Sequence, residues 1–325
     1  RRTISRWTLG LLGLGLLLVL PVATAGDAAP PVSPVAGAGA PEKPAAASGP
    51  QVIHVGIYVL SIGKLDIGTG SFTIDFYLSL KSDQPIPETF EFMNGRAASF
   101  EKIDDQPNEK FYRILANLSS PIDFRRFPFD AQKLQVILED KKHTDKELVY
   151  MPDAKESGFD PSVSFAGWDM SGWETTVGSH KYEAYDETYS QYAFSVGIQR
   201  IKTNSFLKTF LPVLFLMLIM VSSFILNPDQ IITKMATISS SLVASAMFHI
   251  SIASQIPPVA YLTFADKFMM LTYLILLLSF FLNIGIFVAQ NKGNKERALR
   301  LSKWSSYLVF IGVPVLYLSL FLFVR

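Results

Sequence analysis

The chain has 325 residues with 29 basic and 28 acidic side chains, a formal net charge of +1 that gives no footing for a nucleic-acid partner. It contains no cysteine, which excludes disulfides, thiolate metal sites and cysteine nucleophiles, so any exported domain must be held by packing alone. Its four histidines, His54, His143, His180 and His249, are scattered, and neither a metal site nor a cofactor is expected.

Arg1, Arg2 and Arg6 precede an apolar run from Leu9 to Leu20, and Ala23-Thr24-Ala25 follows as a small-residue cleavage site. Residues 1–25 therefore read as a secretory signal. Residues 26–51, rich in Ala, Pro and Gly, have little to bury and read as a disordered leader. From residue 52 to about 203 the hydrophobic period is two. Phe72, Ile74, Phe76, Leu78 and Leu80 alternate with polar partners, and Tyr192, Phe194, Val196 and Ile198 with small or polar ones. Such alternation marks strands with one face on a core, and the many turns between them predict an all-β, immunoglobulin-like sandwich outside the cytoplasm.

Beyond Lys208 the pattern changes to apolar stretches at roughly 209–226, 231–254, 268–289 and 305–324. Each is long enough to cross a hydrocarbon core of about 30 Å, so residues 204–325 predict an all-α domain of four membrane helices. Lys292, Lys295, Arg297, Arg300 and Lys303 surround a single Glu296 between the last two stretches, which fits a cytoplasmic loop and a C-terminus on the outer side. The second stretch is too rich in Ser and Thr to face lipid all round. One stripe of it, Ile232, Ala236, Ser240, Val243, Met247, Ile250 and Ser254, shares a helical face; a rival stripe, Thr233, Thr237, Ser240, Ala244 and Ser251, lies one residue over. Copies of the first around an axis would line a pore with an apolar girdle at Val243, Met247 and Ile250.

The run Ser120-Pro121-Ile122-Asp123-Phe124-Arg125-Arg126-Phe127-Pro128-Phe129-Asp130-Ala131-Gln132 resembles the signature loop of the Cys-loop receptor superfamily in its cysteine-free prokaryotic branch of pentameric ligand-gated ion channels. It is similar to the proton-gated channels of the cyanobacterial type. Gly56-Ile57-Tyr58 and Phe72 to Leu78 are similar to the family's first two strands. Arg200, Leu211-Pro212, Lys234-Met235 and Ile256-Pro257 match its later landmarks in the same order. The resemblance spans about residues 52–325. It implies a homo-oligomer, a pentamer, in the inner membrane, passing inorganic ions in response to a small ligand or to protons. Anchoring the register on Lys234 and Pro257 selects the first stripe as pore-lining.

The same resemblance implies a coupling junction. Phe127, Pro128 and Phe129 would meet the membrane domain, Asp130 would pair with Arg200, and the linker Gln255–Asp266 with Pro257 would lie against that loop. Asp66 in the 62–70 turn is a further charged candidate. Departures also stand out. About one hairpin is missing between Leu80 and Phe90. The stretch after Leu138, Glu139-Asp140-Lys141-Lys142-His143, has no aromatic for a cation cage. Tyr182, Tyr185 and Tyr189 remain as a possible ligand loop, whereas Trp168 and Trp173 are expected in the core. Carboxylate protonation is thus a natural rival trigger. Thr233 and Ile232 stand where cation channels carry carboxylates, and the nearest acid is Asp229, so cation conduction is expected from an Asp229 ring. The competing readings are a nonconducting membrane sensor and an anion-selective channel. No Gly-x-Ser-x-Gly, His-Glu-x-x-His or phosphate loop supports a hydrolase, and no enzyme is expected.

Overall fold

A computed structural model describes residues 49–323. The expected signal, and the leader up to residue 48, lie outside the described residues.

The alternating segments form ten strands: β1 (Gln51–Ile62), β2 (Ser71–Lys81), β3 (Phe90–Phe92), β4 (Gly95–Asp105), β5 (Glu109–Ser119), β6 (Ala131–Asp140), β7 (Leu148–Pro152), β8 (Gly158–Phe159), β9 (Trp168–Tyr182) and β10 (Glu187–Arg200). One sheet runs β4-β5-β2-β1-β7 with β8 also on β1, and the other runs β3-β6-β10-β9. Register follows the hydrophobic period. Val59 pairs with Phe76 and Ile57 with Leu78 in the first sheet, and Phe194 pairs with Val136 in the second. These inward faces meet in one core that includes Phe76, Leu78, Leu134, Val136, Phe194 and Val196. Each fully buried large side chain contributes about 1.5–3 kcal/mol, which lets the sandwich hold without disulfides.

Trp168 lies at the core's edge, as expected. Trp173 does not: it is 37% exposed and stacks on Phe194 with centroids 5.7 Å apart. Its position explains the difference, because β9 is the last strand of its sheet and leaves one side of the ring without a neighbouring strand. Between β2 and β4 lies the three-residue strand β3.

Five α-helices follow: α1 (Lys202–Thr209), α2 (Leu211–Ser223), α3 (Ile231–Ala253), α4 (Phe264–Asn291) and α5 (Lys295–Phe323). Three of them, α3 to α5, are long and apolar enough to cross a membrane. The first expected span, at 209–226, holds α2, which passes the same test only together with α1 before it, across a bend of 45° at Phe210. Pro212 supplies the reason, since it has no N–H for the Lys208 carbonyl and its ring crowds that group. The 13 residues of α2 reach only about 20 Å by themselves. At the other end of the bundle α4 stops in a Schellman turn. Gly293 takes the left-handed conformation with φ 72°, and the Gly293 and Asn294 N–H groups donate to the Gln290 and Ala289 carbonyls.

Candidate functional site

Residues 120–130, between β5 and β6, form the loop that joins the sandwich to the helices. Its base is closed by Gln132. That side chain donates to the Asp123 carbonyl and to Asp130 Oδ2, both at 2.8 Å, and accepts the Asp123 N–H at 3.0 Å. Asp130 is 1% exposed and its Oδ1 accepts from Arg200 Nε at 2.7 Å. The Arg200 guanidinium lies 4.5 Å from the Trp168 ring centroid and 5.2 Å from that of Phe127. A low-dielectric, aromatic surround strengthens such a charge pair and makes loss of either member costly. The position is set by sequence: Arg200 ends β10 and is one residue from α1, so the pair ties the loop to the entrance of the helical region.

Two contacts link the loop directly to α4. The helix begins after Thr263, and the first N–H groups of any helix lack internal partners. Here Phe264 N–H donates to the Arg125 carbonyl at 2.9 Å and Ala265 N–H to the Phe127 carbonyl at 3.0 Å. The loop therefore caps the helix with its own backbone. Tyr261 Oη accepts the Phe124 N–H at 2.9 Å, and Arg125 lies over the same ring. Phe127 is buried, and Phe129 packs among Phe210, Phe264 and Phe321 with centroids 5.7, 5.8 and 6.5 Å away. Pro128 is buried behind a cis bond from Phe127, and Pro257 is half-buried in the linker. Ile67 from the β1–β2 turn joins this cluster, but Asp66 does not reach across. Its carboxylate accepts the Gly68 N–H of its own turn, a bond that, with the Thr69 hydroxyl, holds it below the ordinary carboxylate range. That turn approaches the loop so closely that a Cβ on Gly70 would stand 2.1 Å from the Ser120 carbonyl oxygen.

On α3 every residue of the first stripe, Ile232, Ala236, Ser240, Val243, Met247, Ile250 and Ser254, is exposed in the single chain. Of the rival stripe, Thr237 and Ala244 are partly covered. The opposite face packs inward through Ile231, Lys234, Ile238, Ser241, Ser245 and Ile252. Asp229 is exposed in the short 3-10 turn Pro228–Gln230 just before α3. The positive end of that helix favours an anionic side chain there.

The sandwich also holds a polar cluster that hydropathy alone passes over. Glu139 and Asp140, at the end of β6, are both buried. Glu139 accepts from His180 Nδ1 at 2.9 Å, Tyr182 Oη at 2.8 Å and Gln191 Nε2 at 3.0 Å. Burial and that bond push Tyr182 up to about 12. Asp140 bonds the Thr89 hydroxyl, the His143 ring and the N–H groups of Lys142 and His143. Tyr189 crosses Tyr182 edge-on at 5.6 Å and donates to Glu187, while Tyr185, 75% exposed, donates its backbone N–H to the Tyr182 carbonyl at 3.1 Å. In the sequence the signal was a pair of acids continuing an apolar strand, which only satisfied partners allow.

Desolvation would raise the Asp140 carboxyl, but the Thr89, Lys142 and His143 donors outweigh it and hold the group below the ordinary range. The unfolded chain, with a carboxylate value of about 3.9, then binds more protons, so this contribution is complete above that pH and is lost as pH falls through the lower folded value. Asp140→Asn is expected to flatten the acid-unfolding curve below about pH 4 while weakening the fold at neutral pH. Tryptophan fluorescence across a pH series measures both.

No protein-family model matches the chain. Over 258 residues it is 25% identical to a proton-gated ion channel of Gloeobacter violaceus, a match covering 71% of this chain and 71% of that protein. That likeness runs through a chain with a two-sheet sandwich, a loop capping a membrane-type helix, and further apolar helices after it. Sequence and architecture agree on one likeness: the chain is similar to the prokaryotic pentameric ligand-gated ion channels.

Proposed function

We propose that five copies of this chain close a ring in the inner membrane, with the sandwich on the outer side and α3 facing a central pore. The α1/α2 pair acts as the first of four spans, and the chain passes cations when the sandwich is triggered. The observation that carries the pore assignment is the stripe on α3. It combines hydroxyl and apolar positions along a face left exposed among the described residues. A helix face left open in one subunit needs either lipid or other subunits, and Ser240 and Ser254 suit water better than hydrocarbon. Val243, Met247 and Ile250, all about two-thirds exposed, would then form a dewettable constriction.

Protons are the trigger that the sandwich favours. The space beside Glu139, where a cationic ligand would find its carboxylate, is filled by the chain's own His180, Tyr182 and Gln191. The Gloeobacter relative is itself named as proton-gated. Tyr182 and Tyr189 then serve to close the loop over this cluster, with Tyr185 left free at its tip.

Reconstituted protein is expected to have a mass of five subunits by light scattering, and to pass current after a pH drop. Under a NaCl gradient the reversal potential should follow sodium. Asp229→Lys, which turns an acidic ring basic, should move it toward chloride. A monomer, or a wild-type reversal potential that follows chloride, decides for the nonconducting or the anion-selective reading.

A further inference from the structure

His249 lies on α3 just over one turn before the helix ends, on the flank away from the exposed stripe. Its Nε2 is 3.1 Å from Asp266 Oδ1 and its Nδ1 is 3.0 Å from Tyr273 Oη, both on α4. Asp266 divides its oxygens between two tasks. Oδ2 accepts from the N–H and hydroxyl of Thr263, both at 2.8 Å, while the Asp266 N–H returns a bond to the Thr263 hydroxyl, a reciprocal cap. Oδ1 is left for His249. The turn of α4 that receives His249 is thus the turn whose Phe264 and Ala265 N–H groups are held by the Arg125 and Phe127 carbonyls.

An unbroken series of bonds follows from this: Arg200 to Asp130, through the 120–130 loop, to the capped start of α4, to Asp266, to His249 on α3. The ten residues that join α3 to α4 by chain, 254–263, are irregular, so they transmit position poorly by themselves. We propose that His249, clamped between Asp266 and Tyr273, is the positioning residue that fastens the pore helix to the loop-capped end of α4 and makes that fastening sensitive to protons. This rests on the channel reading above and adds to it the side chain through which the sandwich would move the pore.

The chemistry of the clamp is specific. With His249 neutral, one ring nitrogen donates and the other accepts, so the Asp266 contact is an ordinary hydrogen bond. With His249 charged, both nitrogens donate and the contact to an ionised Asp266 becomes charge-assisted, which is shorter and stronger. Histidine is the side chain that ordinarily changes charge between about pH 5 and 8. Among the described residues, other titratable groups do not compete. α2, which also packs on α3, carries none in Leu211–Ser223. On α3 itself the other charged side chain is Lys234, near its opposite end. Lys267 is exposed, and Tyr261 is occupied by the Phe124 N–H.

The test is a double-mutant cycle on the pH response of full-length channels in planar bilayers, stepped from about pH 7.5 to about pH 4. A slack clamp transmits less of the loop's movement, so His249→Gln should require about tenfold more protons for half-activation. Asp266→Asn should do the same, and adding His249→Gln to it should shift the midpoint no further, since the pair acts as one unit. Tyr273→Phe, which removes only the phenolic oxygen and leaves packing intact, should shift the midpoint in the same direction and keeps the test open if His249→Gln does not assemble. A conducting wild type whose midpoint is unmoved by these variants, or single shifts that simply add in the double, overturns the inference alone. A wild type that passes no current at any pH overturns the proton-driven reading and the clamp together.

Discussion

Asp130→Ala is expected to give protein without gated current, and a reduced fraction of assembled oligomer. Asp130 is 1% exposed and its carboxylate accepts from Arg200 Nε at 2.7 Å and Gln132 Nε2 at 2.8 Å, while the bond from the Arg200 N–H to the Asp130 main-chain carbonyl at 3.1 Å is one that alanine keeps. Removing one partner of a buried ion pair costs about 3–5 kcal/mol, because the surviving charge is left without compensation. Arg200 has no alternative nearby among the described residues: its Nη2 is buried and already lacks a hydrogen-bond partner, and its flanks are the Phe127 and Trp168 rings. The loss falls on the loop whose carbonyls cap α4, so stability and coupling fail together. Asp130→Asn is the informative companion. It keeps an acceptor for Gln132 and Arg200 but removes the charge, and should fold better than alanine while still gating poorly. Size-exclusion profiles with pH-evoked currents separate the two effects. Ordinary currents from Asp130→Ala would refute the assignment of this pair.

The second large effect is expected on the pore helix. Val243→Ser combined with Met247→Ser should produce a standing current at neutral pH, raised about tenfold or more over wild type, since an apolar girdle closes by excluding water and a ring of hydroxyls at two successive levels holds it. Both side chains are 66% exposed in one subunit, so neither change opens a cavity in the packed face of α3. Ala244→Ser, on the rival stripe and partly covered, should leave the resting current near wild type. Resting conductance per channel, normalised to oligomer content, makes the comparison. If Ala244→Ser leaks and the double variant does not, the pore faces the other stripe.

Much of this protein is legible in its amino-acid order alone. A hydrophobic period of two predicts the sandwich from residue 52, and β1 begins at Gln51. The 120–132 run carries the resemblance, because its aromatic, proline and acidic positions are unusual together. Spacing places both α3 stripes on helical faces, and the resemblance at Lys234 and Pro257 selects the first of them. What hydropathy cannot show is how separate segments satisfy each other's polar groups. The expected span at 209–226 holds the short α2, which meets α1 at a bend because of one backbone donor missing at Pro212. Asp66 is a charge near the junction, but it is spent on its own turn, a choice decided by a 2.8 Å bond to Gly68.

Glu139 and Asp140 look like surface acids and are buried, since their partners come from the approach to β3, from β9 and from β10, far apart in sequence. The reciprocal cap between Thr263 and Asp266 starts α4 inside the expected linker Gln255–Asp266 and is local to those four residues. That the remaining α4 donors go to Arg125 and Phe127, and that Asp266 has an oxygen left for His249, depends on contacts across as much as a hundred residues and more. Local pattern sets which elements form, because propensity and hydrophobic period act over a few residues. Which buried donor meets which acceptor is decided only when the elements pack, and in this protein those pairings join the sandwich to the helices.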